Sequence, residues 1–304
     1  MSPSDDAGAT PDLEDQLATR GTGVNVGLAA VIGLGVTVVF FLFLRIPGIH
    51  GSYLFRVFCR RGPVQYITMA FFFWGVAMLA LKVRLIRLEA RIFERDLLPT
   101  EPGVLIRPED ALQHIRKIKR LSASERARQL TNRVWRALTR FKLLGNADKV
   151  DDILKYQGEL DANNMESSYS LIKFLVGLVP ILGFLGTVLG ISEAVSGFSM
   201  VIGAAGSLEE VKAALEQVTI GLGTAFDTTL VALVMSAFLM LGLTLFQRAE
   251  ENLLSRIEEY CMENLLERLW VPPVDQQFEV AMVRALSSLP RNLAKELRSQ
   301  STGD

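Results

Sequence analysis

The chain has 304 residues, half of them apolar, and a formal net charge of −1. A charge so close to zero argues against nucleic acid as a partner. The two cysteines, Cys59 and Cys261, lie far apart, so they predict neither a disulfide framework nor a CxxC metal site. High apolar content alone is compatible with a large soluble core, so the distribution of charged residues decides the class of protein.

Four long stretches of the chain contain no charged residue or only one. A helix needs about 20 apolar residues to cross a membrane, so the sequence predicts an all-α membrane protein with four transmembrane helices. The stretches are Val24–Leu44, Val64–Leu81, Phe174–Ser192 and Gln217–Gln247, the last interrupted only by Asp227. The acidic segment 1–23 is rich in Pro, Ser and Ala, which predicts a disordered tail rather than a cleaved signal peptide.

Basic residues beside the spans predict the orientation of the chain. Lys82, Arg84 and Arg87 begin a cationic run after the second span, whereas segment 198–216, between spans three and four, carries one Lys against three Glu. Lys and Arg concentrate in cytoplasmic loops, so both termini and the insert 84–166 are predicted to be cytoplasmic.

The loop between spans one and two is an exception, because it contains Arg45 and Arg56 although it is predicted to be outside. The aromatic neighbours Phe55 and Phe58 predict a short helix in the headgroup layer, where Arg can reach water. The predicted organisation is a disordered tail (1–23), spans one and two with this interfacial loop (24–83), a cytoplasmic helical insert (84–166), spans three and four (167–247) and a cytoplasmic helical tail (248–304).

Apolar residues recur at helical spacing in the insert and the tail. They are Leu112, Ile115 and Ile118, then Leu130, Val134, Leu138 and Phe141, and after the fourth span Leu253, Ile257, Cys261, Leu265 and Leu269. This spacing predicts helices that pack on one another to form one cytoplasmic helical domain. A docking surface for another protein is a second interpretation that the spacing alone does not separate from the first.

The third span is rich in small residues. It reads "PILGFLGTVLGI" from Pro180, with Gly183, Gly186 and Gly190, and the last two glycines form a GxxxG pair. Small residues at these intervals let neighbouring helices approach closely. They predict helix packing around a pore, or close packing without any role in transport.

Two threonines of spans three and four are predicted to lie at one depth. Thr187 lies 13 residues past Phe174, which is about 20 Å up an outward-running helix. Thr224 lies seven residues past Gln217, which is about 10 Å down an inward-running helix. In a hydrocarbon core of about 30 Å, the two hydroxyls fall at nearly the same level.

The fourth span carries a polar face with a carboxyl. Thr224, Asp227, Thr228 and Val231 follow i, i+3, i+4, i+7, which places them on one side of a helix. A charge at the bilayer centre costs roughly 2.5 kcal/mol or more, so such residues usually mark an ion path. The alternative is a protonated Asp227 that only hydrogen-bonds Thr228 or a neighbouring helix, a contact worth about 0.6–2 kcal/mol.

The two motifs, "PILGFLGTVLGI" and "GLGTAFDTTLVAL", together resemble the MotA/TolQ/ExbB proton-channel family over roughly residues 168–246. Four spans with a large insert between the second and third resemble the flagellar-stator layout. The resemblance implies a homopentamer in the bacterial inner membrane around a dimer of a MotB/TolR/ExbD-like subunit, which has one transmembrane helix with an essential Asp.

The same resemblance implies roles for individual residues. Family members line the ion path with the Thr of the span-three Gly-Thr pair and the Thr of the span-four Thr-Ala pair, which correspond to Thr187 and Thr224. Pro180 matches the proline that begins the span-three motif. The chain departs from TolQ and ExbB at Asp227, where those members commonly carry a small residue, and this leaves H⁺ and Na⁺ open as the coupling ion.

The sequence therefore predicts an ion-conducting motor subunit that is surrounded by membrane lipid, is not an enzyme and needs no cofactor. A non-conducting membrane scaffold, held together by small-residue helices, is the alternative. A secondary transporter is disfavoured, because four spans contain no inverted repeat and no broken helix pair.

Overall fold

The computed structural model of the chain describes residues 24–46, 53–59, 62–94, 97–98, 105–122, 125, 128–204 and 208–270. The predicted disordered tail, and residues 271–304 of the predicted C-terminal tail, lie outside the described residues.

The described residues are mostly α-helical. The helices are α1 (Val26–Leu44), α2 (Tyr53–Cys59), α3 (Pro63–Ala90), α4 (Ala111–Lys119), α5 (Gln129–Leu144), α6 (Ala147–Ala204) and α7 (Leu208–Asn264), with 3₁₀ turns at Arg91–Glu94 and Leu266–Arg268. Within the described ranges the only β pairing is an isolated bridge between Ile106 and Leu269. The prediction of an all-α protein is confirmed.

Four helices are long and apolar enough to cross a membrane, which confirms the predicted multi-pass membrane protein. They are α1, α3, α6 and α7. The Asn25 side chain caps α1 by accepting a hydrogen bond from the Leu28 N–H at 3.2 Å. Proline at the first position of α3 suits a helix start, because the N–H of a first helical residue has no acceptor within the helix and its absence in proline costs nothing.

The chain divides into two compact units. The first comprises the described residues of Met1–Arg95, Ser122–Asn132 and Tyr156–Glu259, and the second those of Asp96–Leu121, Arg133–Lys155 and Tyr260–Asp304. The first unit contains all four spans. In the second, the Ile106 N–H donates to the Arg268 carbonyl at 2.7 Å and the Trp270 N–H donates to the Ile106 carbonyl at 3.0 Å. The insert and the residues after α7 thus meet within the second unit.

The short helix predicted between spans one and two is confirmed as α2. Its side chains Phe55, Val57 and Phe58 are buried in a cluster that includes Met69 of α3 and Val231 of α7. Arg56 on the same helix is exposed. The aromatic residues therefore pack on the membrane helices, while the basic residue stays accessible to water or headgroups.

A buried charge cluster joins three of the membrane helices. The Lys82 amino group lies 3.0 and 2.9 Å from the two carboxylate oxygens of Glu250, and the Tyr169 hydroxyl donates to the same carboxylate at 2.7 Å. The amino group also lies 4.5 Å from the centre of the Tyr169 ring. Lys82 is 0% exposed and Glu250 is 1% exposed. Lys82 begins the cationic run after span two, and it is buried because Glu250 supplies a counter-charge inside the protein.

We expect Lys82→Met to lower the free energy of unfolding by about 3–5 kcal/mol, because it leaves the Glu250 carboxylate buried without its cation. The double variant Lys82→Met/Glu250→Leu should recover most of the loss, since a buried ion pair is often replaced by apolar side chains at little cost. Equilibrium unfolding in mixed detergent micelles measures both.

The matched control is Lys155→Met. Lys155 forms an ion pair with Asp151 at 2.6 Å but is 68% exposed, so its loss should cost about 0–1 kcal/mol. Equal destabilisation by the two lysine variants would contradict the structural role assigned to Lys82.

Candidate functional site

Spans three and four touch through small residues along their length. A Cβ atom at Gly190 would lie 2.9 Å from both the Ala225 nitrogen and the Gly221 carbonyl oxygen. Farther along, Gly183 faces Ala232 and Gly186 faces Thr228. We call this contact the small-residue seam: Gly183, Gly186 and Gly190 on α6, with Gly221, Ala225, Thr228 and Ala232 on α7. The predicted glycines pack α6 on α7 within one chain, at backbone-to-backbone distance.

Thr228 lies inside this seam. Its side chain is directly over Gly186 and the residue is 2% exposed. Its hydroxyl lies 3.1 Å from the Thr224 carbonyl and 3.0 Å from the Ala225 carbonyl, both on its own helix. The sequence assigns Thr228 to the ion path, and the structure places it in the helix contact.

Thr187 lies at the edge of the seam and bonds to α7. Its hydroxyl is 3.2 Å from the Ala225 carbonyl and 3.3 Å from the Gly183 carbonyl, and it contacts the Thr229 hydroxyl directly. Thr229 in turn donates to the Gly183 carbonyl at 3.0 Å. Ala225 directly follows Thr224, so Thr187 lies at the level that the sequence assigns to both threonines.

A third hydroxyl continues the same edge. Ser236 donates to the Val176 carbonyl of α6 at 2.8 Å. Ser236 lies seven residues after Thr229, and Val176 lies seven residues before Gly183, so two turns on each helix separate the two bonds. We call Thr187, Thr229 and Ser236 the hydroxyl edge. Sequence analysis missed Thr229 and Ser236, although their i, i+7 spacing on α7 was a signal that they share a face.

Thr224 and Asp227 lie on the other flank of the seam. At 100° per residue, Asp227 and Thr229 are on opposite sides of Thr228. Val231, on the flank of Asp227, packs against residues of α2 and α3 such as Met69. The predicted polar face of α7 is therefore turned partly toward the first two spans, whereas the hydrogen bonds of Thr187 run to the opposite edge.

Thr224 borders a cavity of about 460 Å³ near the start of α7. The cavity is lined by Gly62, Glu193, Ala213, Glu216, Gln217, Ile220, Gly221 and Thr224. The Thr224 hydroxyl donates to the Ile220 carbonyl at 3.0 Å, and both residues line this cavity. Two carboxyl groups, of Glu193 and Glu216, give this space an acidic lining.

The polar groups of α7 form one belt around the helix. Within two turns the helix carries Thr224, Asp227, Thr228 and Thr229, and Thr187 of α6 bonds at the same level. We call these five residues the polar belt. A hydroxyl group can both accept and donate a proton, hydroxyl and carbonyl oxygens can coordinate a small cation, and a carboxyl can bind and release a proton. Among the residues that the structure describes, no three or more His, Cys, Asp or Glu side chains converge to hold a metal ion.

We expect Gly186→Ala to destabilise the protein by about 1–3 kcal/mol, because the new methyl group overpacks the seam against Thr228. Gly177→Ala is the matched control on the same helix, since a Cβ atom there meets nothing within 4 Å. Alanine's higher helix propensity should make the control neutral or stabilising by up to about 1 kcal/mol. Equilibrium unfolding of the purified variants measures the difference, and the same response at both positions would contradict the seam.

Residues 126–259 match the sequence model of the MotA/TolQ/ExbB proton channel family. The matched region includes the seam, the polar belt and Ser236. No curated protein and no solved structure matches the chain. This match confirms the resemblance to the MotA/TolQ/ExbB family that the motifs of spans three and four indicate.

Proposed function

We propose that this chain, whose residues 126–259 belong to the MotA/TolQ/ExbB proton channel family, is the ion-conducting subunit of a rotary membrane motor. Five copies surround two copies of a single-span partner in the bacterial inner membrane, with both termini in the cytoplasm. The chain needs no cofactor and catalyses no covalent chemistry. The polar belt is the observation that carries this proposal.

The polar belt supports ion conduction because it lies in an otherwise apolar span and is only partly covered within one chain. Asp227 is the only charged residue between Glu216 and Arg248. A charged residue at the centre of a bilayer costs about 2.5 kcal/mol or more, so such a residue normally faces a cavity or a partner. Thr187, Thr224, Asp227 and Thr229 are each only half-buried in a single chain, so assembly can bring them against a partner helix or a file of water.

The acid-lined cavity supplies an entrance on the outer side. Negative groups raise the local concentration of cations, and Glu193 and Glu216 both line the space that Thr224 borders. A cation that enters there reaches Asp227 one helical turn farther along α7. The entrance and the belt thus lie in succession on one helix.

The membrane potential drives the ion inward, and it is worth about 2.3 kcal/mol per charge per 100 mV. In the mechanism we propose, a proton passes Thr187 and Thr224 and is exchanged between Asp227 and the essential carboxyl of the partner. Protonation removes the charge of the partner carboxyl, which lowers the cost of moving its helix past one subunit contact. Because five subunits surround two partner helices, repeated movements become rotation.

A non-conducting scaffold remains the second candidate, and the seam favours it. The glycines bring α6 onto α7, and the hydroxyls of Thr228 and Ser236 bond to backbone carbonyls, as expected of residues that only hold helices together. A scaffold would tolerate loss of the half-buried polar groups, whereas a conducting subunit would not.

We expect Thr187→Val, Thr224→Val and Asp227→Asn together to abolish ion flux through the protein reconstituted with its single-span partner. The partner to be co-expressed is a short protein with one N-terminal span that bears an Asp, sought among the neighbouring open reading frames. Uptake of ions into dye-loaded vesicles under an imposed potential measures the flux, and each single variant should lower it by about tenfold or more.

The matched control is Thr244→Val, since Thr244 is an exposed threonine of α7 whose hydroxyl bonds only within its own helix, to the Met240 carbonyl at 2.9 Å. It should leave the flux unchanged. If the triple variant conducts as well as this control, the scaffold is the correct function.

We expect H⁺ to be the coupling ion, and the variant Asp227→Asn tests this expectation. With a pH gradient and no Na⁺, the natural protein should conduct, and Asp227→Asn should reduce conduction because an amide cannot bind and release a proton. Flux that requires Na⁺ at constant pH would instead assign Na⁺ as the coupling ion.

A further inference from the structure

Pro180 creates a defect in the hydrogen bonding of α6. Proline has no backbone N–H, so it cannot donate to the carbonyl four residues earlier, which is that of Val176. Both residues lie within a membrane span, where water does not replace the missing donor. The Val176 carbonyl therefore needs a donor from another part of the protein.

Ser236 of α7 supplies that donor. Its hydroxyl lies 2.8 Å from the Val176 carbonyl oxygen, across the contact between the two helices. Hydroxyls in membrane helices commonly bond backward to a carbonyl of their own helix, and Thr224 and Thr244 do so at 3.0 and 2.9 Å. Ser236 instead reaches the one carbonyl in α6 that Pro180 leaves without its helical donor.

The hydrogen bond between Ser236 and Val176 lies close to the residues of the proposed ion path. Thr187 lies seven residues after Pro180, so the two share a face of α6. On α7, Thr229 contacts Thr187, and Ser236 lies two turns, or about 10 Å, beyond Thr229. The segment of α6 from Pro180 to Thr187 is thus tied to α7 at both of its ends.

We propose that Ser236 is a positioning residue of the ion path. By replacing the hydrogen bond lost at Pro180, it holds the segment of α6 that carries Thr187 in register with Thr229 on α7. The assignment to an ion path rests on the proposed function, whereas the replacement of the bond does not. Ser236 acts through the backbone of α6 and does not itself contact the ion.

A double-variant cycle tests the contact. In the natural background, Ser236→Ala should speed amide hydrogen exchange at residues 181–184 by about tenfold, because the Val176 carbonyl loses its donor and α6 opens beside Pro180. In a Pro180→Ala background, Ser236→Ala should have no such effect, since the backbone N–H that this substitution restores donates to the Val176 carbonyl within α6. Ser236→Thr retains a hydroxyl and should keep the natural exchange rate.

The same variants, reconstituted with the single-span partner, test the positioning role. Ser236→Ala should lower ion flux about fivefold to tenfold and Ser236→Thr should restore it. Faster exchange at 181–184 in both backgrounds alike, or in neither, overturns the contact. If Pro180→Ala does not fold, an equal effect of Ser236→Ala and Ser236→Thr on exchange overturns it.

Failure of this inference is separable from failure of the proposed function. If Ser236→Ala leaves the flux unchanged while Thr187→Val lowers it about tenfold or more, Ser236 does not position the path but the path stands. If neither the Ser236 nor the Thr187 variant alters the flux, the proposed function fails, and the positioning role fails with it.

Discussion

The backbone-to-backbone contact between α6 and α7 is the constraint on which the rest of the membrane unit depends. Because Gly183, Gly186 and Gly190 have no side chain, α7 approaches until its own small residues touch the α6 main chain. At that distance a threonine or serine hydroxyl on one helix reaches a carbonyl of the other, as Thr229 and Ser236 do. A bulkier seam would separate the helices and remove these bonds together.

The close packing of α6 on α7 is compatible with ion conduction. An ion path needs polar groups held in fixed positions within an apolar helix pair, and groups that are loose would collapse onto lipid or onto each other. The seam fixes the helices, while the polar belt on either side of it keeps Thr187, Thr224, Asp227 and Thr229 only half-buried. The same contact that a scaffold would require is therefore also a precondition for a conducting subunit.

Much of the architecture follows from the sequence, because a membrane span is a local property of charge and length. The charge-free runs predict all four spans, and the two motifs predict the family. Side-chain partners were harder to predict, because they depend on contacts distant in the chain: Lys82 is buried only because Glu250, 168 residues away, meets it. The spacing of Thr229 and Ser236 indicates only that they share a face of α7, because the acceptor of the Ser236 hydroxyl, the Val176 carbonyl, belongs to another helix. The flank on which Asp227 lies also depends on α2 and α3, which helical spacing within α7 does not reveal.

The central claim is that water reaches the polar belt in the assembled protein. Its most direct test is a structure of the chain with its single-span partner in lipid nanodiscs, at a resolution that shows ordered water. The account predicts a file of water or a bound cation beside Thr187, Thr224 and Asp227, next to the carboxyl of the partner helix. A belt sealed by hydrocarbon side chains or turned toward lipid, with no second polypeptide beside it, would contradict the claim.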